Sequence, residues 1–393
     1  MRLLLVHNYY QQPGGEDVVF ASERDLLAKM GHDVHVLTAH NDSVAEIPRS
    51  RAFVESIWSR SFQRILDAKI AEVRPDVVHF HNTFMVISPA AFYTVKKWRI
   101  PLVQTLHNYR LACPAATFFR DGQICEACLG HFVPLPGIRH GCYRESKVTT
   151  ATVAAMMTVH RAMRTWSNQV DRFVVLTEFA RQKFMETGLP DEKMVVKPNF
   201  LVEDPDVGAR SGGYALFVGR LSEEKGVRTL VESWSALPHI PLKIVGDGPL
   251  MPELRALVES RSLTNVELLG RRSREDTLAF MKDAYCLVFP SEWYEGLPMT
   301  IVEAFACGVP VIASNVGAMR ELVAEGHTGL FFTAGDTFSL ATTLQQAWSQ
   351  PDAMSRIGQN ARQEFLARFT AERNYEQLLA VYQSLTGSGQ PIG

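Results

Sequence analysis

Short apolar strands alternating with helical stretches, once through the first half of the chain and again through the second, constrain this sequence more than any single motif. In the second half the strand-like runs are 214–220, 242–246, 265–270, 286–290, 309–313 and 329–332, with helical segments between them. Strands spaced by helices are joined by crossovers, which gives an open parallel sheet. The first half follows the same pattern, with strands at Arg2 to His7, His32 to Thr38, Asp76 to Asn82, Pro101 to Tyr109, Asp171 to Thr177 and Met194 to Lys197. Its first strand runs into a Gly14-Gly15 loop and a helix from Asp17 to Met30. Strand, glycine loop, helix and strand begin a nucleotide-binding fold. The glycine pair lacks the Gly-x-Gly-x-x-Gly spacing, so a nicotinamide cofactor is not indicated.

A chain of 393 residues exceeds the usual single domain and suggests two, each able to bury its own core. Pro198 to Gly213, rich in Gly, Asp and Pro, reads as the linker and proposed hinge. The expected architecture is therefore α/β. Residues 1–200 form one Rossmann-like domain, 201–370 a second, and 371–393 a closing helix followed by a loose tail from Gly387. No apolar run approaches the roughly 18 residues of a membrane span, and Met1 to Val6 is too short for a secretory signal. A cytoplasmic location is expected. The halves differ in charge: residues 1–200 hold 24 Lys+Arg against 19 Asp+Glu, or +5, and residues 201–393 hold 16 against 23, or −7. That asymmetry hints at an anionic partner for the first half, such as a membrane surface, contacted peripherally. No basic run interleaved with aromatics points to nucleic acid.

Chemistry-bearing residues gather where strands end. After the run Cys286 to Pro290 comes Glu295-Gly296-Leu297-Pro298-Met299-Thr300-Ile301-Val302-Glu303, in which Pro298 suits a helix start and Leu297, Ile301, Ala304 and Phe305 share a helical face. Glu295 sits in the loop and Glu303 in the first turns of the helix, beside free backbone N–H groups. Upstream, Gly219-Arg220 ends a strand and Glu224-Lys225-Gly226 precedes a helix, the place where parallel α/β sheets bind ligands. Two cations there suit a diphosphate, although Lys225 could equally pair with Glu223 or Glu224. Gly246-Asp247-Gly248-Pro249 ends another strand, where the Gly246 backbone can line the same pocket.

Together these segments resemble the retaining nucleotide-sugar glycosyltransferases of family 4, and the resemblance covers essentially the whole chain. It implies the GT-B fold: two Rossmann-like domains whose parallel sheets face a central cleft, with the C-terminal helix crossing back to the first domain. It also implies transfer of a sugar from a UDP-, GDP- or ADP-linked donor to a hydroxyl acceptor, with no organic cofactor and no catalytic divalent metal. Arg220 and Lys225 would stabilise the leaving diphosphate, Glu303 would accept from the ribose, Glu295 would orient the sugar, and Gly296, Leu297 and Pro298 would offer backbone contacts. Gly14 and Gly15 would let the backbone approach donor and acceptor. Thr105-Leu106-His107-Asn108 resembles the family's Thr-x-His segment, which gives His107 a contact with the transferred sugar. Domain closure would bring His107 to Glu295. The acceptor class suggested by relatives is a lipid-linked intermediate of surface polysaccharide assembly. A nucleotide-sugar epimerase and a phosphorylase-like enzyme share the architecture and are the rival readings.

The least ordinary stretch is an insertion at 110–145, which family 4 enzymes do not generally carry. It holds Cys113, Cys125, Cys128 and Cys142, four of the six cysteines, in a segment with little core of its own. Four thiolates with one Cys-x-x-Cys can bind structural zinc and staple such a loop. Disulfides and unlinked thiols are the alternatives. His79 and His81 alternate onto one strand face, and His79 reads as a hydrogen-bonded core imidazole. Residues 43–60 mix basic and aromatic side chains, which suits a surface helix packed by its aromatics more often than a segment lying on a membrane interface.

Overall fold

The computed structural model describes residues 1–11, 14–46 and 48–387, apart from the side chains of 44–46 and 49. The expectation of a loose tail at 388–393 and part of that for residues 43–60 lie outside the described residues. In chain order the strands are β1 (Arg2–Tyr9), β2 (Asp33–His40), β3 (Val77–Phe80), β4 (Leu102–Leu106), the hairpin β5 (Phe119–Arg120) and β6 (Gln123–Ile124), β7 (Arg172–Val175), β8 (Met194–Val196), β9 (Ala215–Val218), β10 (Leu242–Val245), β11 (Val266–Gly270), β12 (Cys286–Phe289), β13 (Val311–Ser314) and β14 (Gly329–Phe332). Two six-stranded sheets result, in the orders β2-β1-β3-β4-β7-β8 and β11-β10-β9-β12-β13-β14. Every pairing within them is parallel.

Each sheet is a doubly wound one, and each has one point where the strand order reverses. In the first sheet that point lies between β1 and β3; in the second it lies between β9 and β12. Parallel strands place all their carboxyl ends on one edge, so the loops after β1 and β3, and those after β9 and β12, flank the crevice where such sheets take ligands. Contacts divide the chain into two compact units: residues 1–118, 125–199 and 372–393 form one, and residues 119–124 and 200–371 the other.

The strands are apolar along their whole length because helices cover both faces. Leu4, Leu5, Val78, Leu102, Val103 and Val174 are fully buried in the first unit, and Ala215, Leu216, Ile244, Leu287, Val288 and Ile312 in the second. Each larger side chain contributes about 1.5–3 kcal/mol of burial. The helix Ala371–Thr386 seats Leu378, Val381 and Tyr382 in the core of the first unit with Leu3, Leu5 and Phe20.

Local signals explain the element ends. The first helix is Gly15–Lys29, two residues longer at its start than the sequence suggests, because Asp17 caps it: its Oδ2 accepts from the Gly14 N–H at 2.8 Å. The stretch 146–166 is broken into Lys147–Ala162 and Thr165–Gln169 by Arg164, which sits in the left-handed region at φ 50°. In 43–60 the helix Arg49–Ile57 leaves Phe53 and Val54 exposed, while Trp58 stacks on His160 with centroids 5.8 Å apart.

Candidate active site

In the second unit the crevice between β9 and β12 is built by backbone that tolerates no side chain. A Cβ at Gly226 would lie 2.0 Å from the Pro290 carbonyl oxygen, and one at Gly246 1.8 Å from the Gly219 carbonyl oxygen. The loops after β9, β10 and β12 are thereby held against one another, with Gly226 at φ 64°. The role this gives Gly246 is close packing of those loops.

On this frame Lys225 Nζ donates to Glu295 Oε1 at 2.6 Å, and the Ser291 hydroxyl donates to the same oxygen at 2.6 Å. Ser291 is fixed in turn, since its carbonyl accepts from the Ser314 hydroxyl at the end of β13. The Lys225 ammonium also lies 5.2 Å from the Trp293 ring centre. The partner of Lys225 is therefore Glu295 and neither Glu223 nor Glu224; Glu224 accepts from the Ser222 hydroxyl instead. Arg220 is exposed, and its guanidinium has no partner among the described residues. Gly296 is half-buried, while Leu297 and Pro298 are buried at the start of the helix Met299–Ala306. Glu303, half-buried on that helix, has a carboxylate with no partner among the described residues, and burial raises its pKa against the pull of Arg274. A carboxylate that is partly desolvated and unpaired is ready to accept from hydroxyls.

In the first unit the carboxyl ends of β1, β3 and β4 bring together polar groups that the sequence does not pair. Gly14 and Gly15 open the first helix, and among the described residues a Cβ on either would meet nothing within 4 Å beyond its chain neighbours. Glu16 follows them. Its Oε1 accepts from Asn82 Nδ2 at 3.0 Å and its Oε2 from Asn108 Nδ2 at 3.2 Å. Burial, helped by Asp17, pushes the Glu16 carboxyl up to about 7. His107, just past β4, is hydrogen-bonded through Nε2 to His81 Nδ1 at 3.1 Å, and burial holds its pKa down at about 3. His79 is a core imidazole, with Nδ1 against the Tyr382 hydroxyl at 2.7 Å and Nε2 against Thr105 Oγ1 at 2.8 Å. Glu16, Asn82 and His81 are the site-lining residues that sequence reasoning missed. The signal available for them was position: Glu16 follows the glycine pair, and His81 shares a strand face with His79.

None of the four insertion cysteines is in a disulfide. The segment packs around Gly137: its N–H donates to Cys128 Sγ at 3.2 Å, its carbonyl accepts from the Cys142 backbone N–H at 3.1 Å, and a Cβ there would lie 3.0 Å from the Pro114 side chain. Burial first, and then the Gly137 N–H and the neighbouring thiols, set the Cys128 pKa at about 11. Among the described residues the set of ligand atoms lying within 4.8 Å of one another is a different one, Glu23, His79 and His81.

Residues 13–204 match the family described as Glycosyltransferase Family 4, and residues 209–364 match that described as Glycosyl transferases group 1. An uncharacterized glycosyltransferase of Methanocaldococcus jannaschii is 32% identical over 44% of this chain, a stretch spanning about half (48%) of that relative. N-acetyl-alpha-D-glucosaminyl L-malate synthase of Bacillus anthracis is 23% identical over 97% of each chain. The solved structure of HepE of Anabaena in complex with UDP covers 98% of this chain and 100% of its own, with a TM-score of 0.71 and 18% identity. A likeness at that identity shows the fold, which is GT-B.

Proposed function

We propose, from the premise that residues 13–204 match Glycosyltransferase Family 4 and residues 209–364 match Glycosyl transferases group 1, that this chain moves a sugar from a nucleoside diphosphate sugar to a hydroxyl acceptor with the anomeric configuration retained. The observation that carries this reading is the crevice between β9 and β12. There an unpaired Arg220, a Lys225 within 2.6 Å of Glu295, and the unpaired, partly desolvated Glu303 share the carboxyl edge of one sheet.

Arg220 supplies a planar fork and Lys225 a point charge to the diphosphate, stabilising the negative charge that grows as the glycosidic bond breaks. The Lys225–Glu295 pair has a further use. As Lys225 turns toward phosphate, Glu295 Oε1 keeps the Ser291 hydroxyl and can accept from a sugar hydroxyl in place of the ammonium. Glu303 accepts from the ribose. The leaving phosphate oxygen takes the acceptor's proton, so that attack and departure occur on one face of the sugar. His107 meets the transferred sugar. UDP is the first nucleotide to try, because the HepE structure contains it.

The acceptor end of the reading draws on a cavity of about 720 Å³ in the first unit, lined by Phe53, Phe84, Met85, Tyr143, Arg144 and Val148. An apolar wall with an arginine at it supports a lipid-linked or otherwise anionic acceptor, met at the inner face of a membrane. Among the described residues no helix is long and apolar enough to cross one. Structural zinc on Cys113, Cys125, Cys128 and Cys142 is a second proposal, supported by the other three thiols lying near enough to Cys128 to act on its charge. Metal analysis of the purified protein against Cys125→Ser tests it, and a metal content equal in both would sink it.

The deciding experiment for the activity is thermal-shift screening with UDP-, GDP- and ADP-sugars, followed by incubation of the stabilising donor with and without acceptor. Transfer that requires acceptor supports the reading. Conversion of the donor alone would make the protein an epimerase, and phosphate-dependent cleavage without nucleotide would make it a phosphorylase.

A further inference from the structure

Beneath His107 lies a buried chain of polar groups that transfer chemistry does not itself require. The Lys197 ammonium donates to Glu23 Oε1 at 2.6 Å, with both side chains 1% exposed. The other carboxylate oxygen, Glu23 Oε2, faces His81 Nε2 at 3.4 Å, which is long for a hydrogen bond. Among the described residues neither of these atoms has another partner, and both are sealed from solvent. His81 Nδ1 then meets His107 Nε2 at 3.1 Å. Phe20 closes the side, its ring edge-on to His81 at 5.2 Å and stacked on His7 at 4.6 Å. His107 Nδ1 has no partner among the described residues.

Neutral imidazole carries one N–H, so each contact in this chain fixes the next. Burial, the first cause in each case, holds His81 well below its ordinary pKa and His107 at about 3, so both rings are neutral near pH 7. Glu23, paired to Lys197, is a carboxylate and can only accept. A bare His81 Nε2 facing it would set two lone pairs against each other in a dry interior, which is costly. The proton of His81 therefore sits on Nε2. Its Nδ1 is then an acceptor, which obliges His107 to donate from Nε2 and leaves His107 Nδ1 bare.

We propose that Glu23 and His81 are positioning residues that hold His107 in the tautomer with an unprotonated Nδ1, so that the ligand group His107 meets must be a hydrogen-bond donor, namely a sugar hydroxyl. This rests on the transferase reading for the identity of the ligand; the tautomer itself does not. The arrangement also acts on specificity: a donor sugar with fluorine or hydrogen in place of that hydroxyl loses the contact, since neither can donate.

The test uses the whole chain labelled with ¹⁵N-histidine, with the His107 signals assigned by their loss in His107→Gln. Two-bond nitrogen–proton couplings report which ring nitrogen is protonated. In the wild type both His81 and His107 are expected with the proton on Nε2. In Glu23→Gln the side-chain amide can keep its oxygen toward Lys197 and turn its NH₂ to His81, so both rings should switch to the Nδ1–H form. Transfer efficiency should then fall on the order of 10- to 100-fold, while thermal stabilisation by nucleoside diphosphate alone is kept. A wild-type His107 protonated on Nδ1 overturns the proposal and needs no variant to fold. So does a Glu23→Gln protein in which both rings keep their wild-type protons. If the wild type transfers no sugar, the function fails while the tautomer measurement still decides this inference.

Discussion

The two units share a sheet order and differ in how they make a polar edge. In the second unit the charged groups ride on loops held by glycines, and the interior beneath them, around Phe217, Leu230, Trp234 and Ile312, is apolar. In the first unit polarity runs into the core itself: His79, His81, Glu23 and Lys197 are all 3% exposed or less. Loop-borne groups such as Lys225 and Glu295 can exchange partners when a ligand arrives, because rearranging them leaves the core alone. A buried chain cannot exchange partners cheaply, and so it fixes orientation. One unit is arranged to respond to charge, the other to hold one ring in one state.

The comparison breaks most severely where a buried charge is left alone. Lys197→Met removes the partner of Glu23 inside the first unit and should cost about 3–5 kcal/mol, whereas the double change Glu23→Leu with Lys197→Met should recover most of that loss. Hydrogen exchange read on peptides of β1 and β3 against β9 and β13 checks it; equal loss of protection in both sheets would refute the assignment to the first unit. Next in size is the loop-borne pair. Arg220→Ala with Lys225→Ala should lower turnover on the order of 10² or more, as when a donor to developing negative charge is lost. Its effect on stability should be small. Unchanged turnover would remove both residues from the chemistry.

Much of this comparison was legible in the chain, and its limits were physical. Alternating apolar runs set the sheets because a strand covered on both faces must be apolar throughout, as Leu3 to Val6 and Cys286 to Phe289 are. Pro298 marked the start of the helix Met299–Ala306, where it stands as the N-cap in the fold. Pairing across long separations was not legible. Lys225 and Glu295 lie 70 residues apart, and local sequence offered only Glu223 or Glu224 as a carboxylate partner. The period of two put His79 and His81 on one face, where their rings sit 4.5 Å apart, yet the hydroxyl that locks His79 comes from Tyr382, 303 residues later. Glu16 carried no motif beyond its place after the glycine pair; its burial beside Asn82 and Asn108 comes from residues 66 and 92 positions away.

Acidity offers the mildest way to sharpen the contrast, counted per group. His7, His79, His81, His107 and His160 all lie in the first unit, and burial lowers each of them in the folded state. Unfolded chain takes up a proton at each near pH 6.5, and folded chain does so only at lower pH. Stability is thus full above about 6.5 and drains as pH falls toward the folded values, about 3 for His107, at up to about 1.4 kcal/mol per pH unit per imidazole. Glu16 opposes this, since a carboxyl raised to about 7 stabilises the fold below its unfolded value and loses that contribution as pH rises through 7. Between pH 7 and 5.5 the several imidazoles outweigh the one carboxyl. In the second unit the raised Glu303 acts in the same direction as Glu16. Hydrogen exchange corrected for its intrinsic pH dependence should therefore show β1, β3 and β4 losing protection on mild acidification while β9, β12 and β13 hold theirs. Parallel loss in both sets of strands would mean that the buried imidazoles are not what separates the two units.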